Sequence, residues 1–153
     1  MDRSRRFAAC AVATVALALV IAAGEAEAQL KRAYFSNTPT SGGIRYGRSD
    51  FQAMPAEVKA FDREKDKTVF LYVILDTAEP VKLRGVLKDP SGRQHAKVDR
   101  DVERYGRAVT SQNFWRSVNW RWSTKRMRNK PGDWTLELVV NDKPAGSYTF
   151  TLK

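Results

Sequence analysis

The sequence predicts an all-β sandwich of about seven strands, and three observations carry that expectation. Apolar residues recur with period two rather than 3.6. Gly, Pro, Asn and Asp break the runs at short intervals, as turns between strands do. One run, Lys67–Leu75, is apolar on both alternating faces, as a central strand covered on both sides would be.

Taken in order, the elements begin with weaker strands at Leu30–Phe35 and Ile44–Tyr46, separated by the polar loop SNTPTSGG. Ser49-Asp50-Phe51-Gln52 resembles a capping box, and Pro55 ahead of Ala56-Glu57-Val58-Lys59-Ala60-Phe61 suits the first turn of one short helix. After the central strand, Val81, Leu83, Gly85 and Leu87 share one face against Lys82, Arg84 and Lys88. Asp89-Pro90-Ser91-Gly92 then supplies a turn with Pro at its first central position, and Gln94–Val102 returns as the partner strand. In Asn113–Thr124, Val118, Trp120 and Trp122 share one face, with Ser117, Asn119, Arg121 and Ser123 on the other. The two tryptophans are expected in the core, and Trp115, opposite in phase, is the one expected at the surface. Beyond Pro131-Gly132, Trp134, Leu136, Leu138 and Val140 alternate cleanly, and Asn141–Gly146 turns the chain into Tyr148, Phe150 and Leu152, closing a C-terminal hairpin.

The stretch WRWSTKRMRNKPGDWTLELVVNDKPAGSYTFTLK resembles the ending of exported bacterial immunoglobulin-like sandwiches. There a Trp-Ser strand leads through a Pro/Gly turn to G-x-W-x-hydrophobic-x-hydrophobic and then to G-x-hydrophobic-x-F. The resemblance covers about residues 115–153. It implies an immunoglobulin-like antiparallel β-sandwich and export from the cytoplasm, and it carries over no catalytic residue.

The N-terminus agrees with export. Arg3, Arg5 and Arg6 precede an apolar run from Phe7 to Ala23, and Ala26-Glu27-Ala28 offers small residues for a signal peptidase. The run is short and Ala-rich for a membrane anchor, so residues 1–28 are expected to be a signal peptide cleaved after Ala28, leaving residues 29–153 as a single β-sandwich domain in the periplasm or secreted. The leader carries three Lys/Arg and three Asp/Glu, so the net charge of +10 belongs to the domain. Cys10 is the chain's one cysteine and lies in the leader, which removes disulfides, thiolate metal sites and cysteine nucleophiles from the domain.

Catalytic motifs are missing. G-x-S-x-G, H-E-x-x-H and P-loop patterns do not occur, and His95, the chain's one histidine, falls near a turn where a surface histidine is the simpler reading. Asp99, Asp101 and Glu103 would line one face of a strand and could hold a hard cation, but cross-strand ion pairs to Lys and Arg account for them without one. The sequence-level expectation is therefore a chain with no enzymatic activity, no cofactor, no metal and no small-molecule substrate.

What remains is an interaction module. From Arg104 to Gly132 there is no acid, while Arg104, Arg107, Arg116, Arg121, Lys125, Arg126, Arg128 and Lys130 are all present. Arg121, Lys125, Arg126, Arg128 and Lys130 are the candidate anion-binding residues. The first expectation is a protein partner; the alternative is an anionic polymer or surface, such as lipopolysaccharide, anionic lipid headgroups or nucleic acid.

Overall fold

Alternation along the central strand sets the layers. In the computed structural model, which describes residues 30–40, 45–48, 54–106 and 114–153, β4 (Thr68–Leu75) sends Val69, Leu71, Val73 and Leu75 into the main core and Phe70, Tyr72 and Ile74 to the opposite face. β4 lies between β1 (Leu30–Ser36) and β7 (Phe114–Ser123), and β2 (Arg45–Arg48) pairs with the first residues of β7, giving a four-stranded sheet in the order β1-β4-β7-β2. The second sheet holds β3 (Ala60–Phe61), β9 (Lys143–Leu152), β8 (Gly132–Val140), β5 (Val81–Lys88) and β6 (Gln94–Val102), in that order. All pairings are antiparallel except that of β3 with β9.

The sheets meet across one core. Phe150 of β9 bridges them, with its ring 4.6 Å from Phe35 of the facing sheet and 5.2 Å from Phe61 of its own. Trp134 is fully buried beside it. Close approach explains one glycine: a Cβ at Gly85 would stand 2.7 Å from the carbonyl oxygen of Glu137 on the neighbouring strand. The hairpin between β8 and β9 turns on Asn141 and Asp142, both at positive φ, a conformation these two residues tolerate better than most.

Three expectations change here. Residues 54–59 form neither helix nor strand, and Ala60–Phe61 pairs with Thr151–Leu152 as a short strand, so the helix expected over Ala56–Phe61 does not form. Phe61 is fully buried between the sheets, a position a strand at the sheet edge supplies. The short helix that does form is α1 (Thr124–Met127), inside a stretch the sequence offered only as strand end and turn. Trp115 is 5% exposed rather than displayed, because the outer face of the four-stranded sheet carries its own apolar cluster of Tyr34, Tyr72, Ile74 and Trp115, with Met54 and Phe70 packed against it. The leader, Ile44, the capping box Ser49–Gln52, Arg107 and Asn113 lie outside the described residues. Among those described, no helix is long and apolar enough to cross a membrane.

Candidate functional site

The five candidate cations follow one another along the end of β7, α1 and the approach to β8, but they divide by what they touch. Thr124 and Met127, three residues apart and both buried, anchor α1, and this turns Lys125 and Arg126 to solvent. Arg121 is exposed on the outer face of β7, opposite Phe70 in register. These three make no ion pair among the described residues.

Arg128 and Lys130 are committed to carboxylates. Arg128 reaches Glu64 at 3.5 Å, and its backbone carbonyl accepts a hydrogen bond from Arg63. Lys130 is held by both its backbone and its side chain: its carbonyl accepts from the Trp134 indole at 3.0 Å, and its ammonium lies 2.5 Å from Asp89. Asp89 also accepts from Ser91 and Arg93, and these donors with Lys130 hold its carboxyl well below the usual carboxylate range. Two further members of the acid-free segment are likewise structural. Arg104 pairs with Glu79, and the buried Arg116 donates to the carbonyl oxygens of Glu79 and Glu103.

His95 is half-buried, its ring edge-on to Trp134 at 4.8 Å. The register places it there: Leu87 faces Ala96 and Lys88 faces Gln94, so His95 is an extra residue that a bulge turns inward. Burial first, and then the Lys130 charge, lowers its pKa. Asp99 and Asp101 both reach Arg84 on β5, at 3.1 and 2.6 Å, as cross-strand pairing requires.

The sequence reading missed a flank of the sandwich that is open among the described residues. β2 pairs with Phe114–Ser117 only, and among the described residues no strand pairs with Val118–Ser123 on the side away from β4. Trp120 and Trp122 face inward along that stretch, pack against the core and remain partly exposed. Across from them runs β6, the edge strand of the other sheet, whose Arg100 guanidinium sits over the Trp120 ring at 5.4 Å. Arg100 could have been found: it occupies an inward position in the alternation Ala96, Val98, Arg100, Val102, where a charge marks an edge strand.

No protein-family model and no curated protein matches the chain. Among solved structures, the alkylpurine DNA glycosylase AlkC of Pseudomonas fluorescens, bound to DNA containing an abasic site analogue, is similar over 62% of this chain and 27% of its own, at 13% identity and a TM-score of 0.38. The chain thus spans about a quarter of that protein's length. The expectation of a chain without enzymatic activity is corrected at this point: a structure it matches is that of an enzyme, and the exclusion is withdrawn. At that TM-score the likeness assigns neither glycosylase chemistry nor DNA binding to this chain.

Proposed function

We propose that the chain is an exported β-sandwich module that binds another protein through the open flank between β6 and β7. The observation that carries this reading is the flank's composition. Trp120 and Trp122 stand partly exposed behind a stretch of strand that no strand among the described residues pairs on that side, with Arg100 over one ring, and tryptophan and arginine are the side chains most enriched where binding energy concentrates.

Strand order supports an immunoglobulin-like arrangement. β1, β4 and β7 take the places of strands A, B and E in one sheet, and β5, β8 and β9 those of C, F and G in the other. Export rests on the leader, with its basic start, apolar run and Ala26-Glu27-Ala28, and places the working domain in the periplasm or outside the cell. A mass beginning at Gln29 in the exported protein agrees with it; a mass matching the full chain means an anchored protein.

The test of the binding reading uses a photo-crosslinker. Placed at Arg121, it should capture one protein in stoichiometric yield from the native compartment, while the same group at Val139, on the outer face of the five-stranded sheet, should not. Equal yields from the two positions reject the flank as the binding surface.

A second reading has its own observation. Arg121, Lys125 and Arg126 carry charge that no acid among the described residues balances, which favours binding of an anionic polymer or membrane surface at that end of the sandwich.

A further inference from the structure

The end of the sandwich that carries α1 gathers side chains from four segments around Trp134. From β6, the bulge turns His95 inward, so that its ring meets Trp134 edge-on at 4.8 Å. From the approach to β8, Lys130 accepts the Trp134 indole N–H on its carbonyl and places its ammonium 2.5 Å from Asp89 of the turn between β5 and β6. From α1 comes Arg126, exposed and close enough for its charge to act on His95. Asp133, next to Trp134 on β8, accepts from Thr151 instead.

Charges around His95 do not cancel. Asp89 is the one acid that acts on it, and that carboxylate, 1% exposed, is already taken up by Lys130, Ser91 and Arg93. With that ion pair set aside, Arg126 is left, and it makes no ion pair among the described residues. Burial first, then Lys130 and Arg126, hold the imidazole below its ordinary value against the pull of Asp89, so it is neutral at neutral pH. An anion set beside Arg126 reverses that balance, because it screens the guanidinium and gives a protonated ring a partner. A half-buried ring is reached by a single anionic group projecting from a flexible chain, whereas the plane of a bilayer is held off by the side chains around it.

We infer that Arg126 and His95 seat one sulfate- or phosphate-type group of a linear polyanion, and that seating it draws a proton from solvent onto His95, so that binding tightens as pH falls. The group's oxygens accept from the guanidinium and from an imidazolium N–H, both charge-assisted bonds. The inference rests on the reading that this end binds an anionic polymer, and it adds the seat and its regulation. His95 is the chain's one histidine, so no other imidazole can supply the effect.

Heparin is the probe, because its sulfate groups keep their charge between about pH 8 and about pH 5, the range in which an imidazole titrates. Its affinity should rise about tenfold across that range, the gain that a tenfold higher proton affinity of His95 in the complex gives. The slope of log affinity against log salt should steepen by about one, for one more neutralised charge. His95→Gln should remove both changes and bind as the parent does at the alkaline end, and Arg126→Gln should weaken binding throughout. In the unaltered protein, the imidazole proton resonance should titrate at higher pH with heparin bound than without, which tests the seat independently of how the variants fold. A pH gain that survives His95→Gln, or a resonance whose titration heparin does not move, overturns the inference and leaves polymer binding standing. Absence of heparin binding at every pH overturns both. Binding to phosphatidylglycerol vesicles without binding to heparin overturns the polymer in favour of a membrane surface.

Discussion

The ammonium of Lys130 lies 2.5 Å from Oδ2 of Asp89, a carboxylate whose side chain is 1% exposed. Lys130 is the largest cause of the depressed Asp89 pKa, followed by Ser91, while burial opposes both. A depressed carboxyl contributes stability that is present above its unfolded value of about 4 and is lost as pH falls through its folded value. Lys130→Met should therefore lower stability at neutral pH and begin acid unfolding at a higher pH than the parent. Circular dichroism against pH reads both, and superimposed acid transitions would refute the role of Lys130.

Trp134→Ala should destabilise by about 3–5 kcal/mol, as large aromatic truncations in packed interiors do. Trp115→Ala belongs in the same class because that residue is 5% exposed, whereas the partly exposed Trp120 should cost less. Urea unfolding of the three variants ranks them. A larger loss at Trp120 than at Trp115 would contradict the burial described above.

Tyr34 is pushed up to about 12, by burial first, with the Arg32 charge pulling the other way. A raised phenol contributes stability that is complete below its unfolded value of about 10 and is lost as pH rises through its folded value. Tyr34→Phe should keep its fold to higher pH than the parent, as followed by near-ultraviolet circular dichroism. Identical alkaline transitions would mean that another group drives the unfolding.

Replacing Arg121, Lys125 and Arg126 together by Gln should flatten the salt dependence of heparin binding and leave the melting temperature nearly unchanged, since exposed charges contribute little to stability. Replacing Lys59, Lys65 and Lys67 removes the same charge from a segment that also carries Asp62, Glu64 and Asp66. Equal weakening by both triples would show that net charge alone governs the binding.

Most strands could be read from the sequence because burial alternates where the residues alternate, as in Val81, Leu83 and Leu87 against Lys82 and Lys88. β3 could not. Ala56–Phe61 carries residues that suit a helix, and its extended course comes from pairing with Thr151 and Leu152, far along the chain, which no local propensity records. The burial of Trp115 escapes its phase for a similar reason: it belongs to an apolar cluster with Tyr34, Tyr72 and Ile74, which other strands bring to the outer face. The candidate site was legible only as charge. That Lys130 and Arg128 are tied to acids depends on where Asp89 and Glu64 fold, whereas the exposure of Lys125 and Arg126 follows from the buried Thr124 and Met127 beside them.

β9 lies between β8 and β3, so the five-stranded sheet is joined through the strand that is synthesised last among those described. Residues 60 and 151 must meet before β3 has any partner. A topology dominated by such distant pairings folds slowly, because loop-closure entropy is spent before the contacts return it. The sheet is therefore completed late, because β3 has no partner until Thr151 and Leu152 have been made.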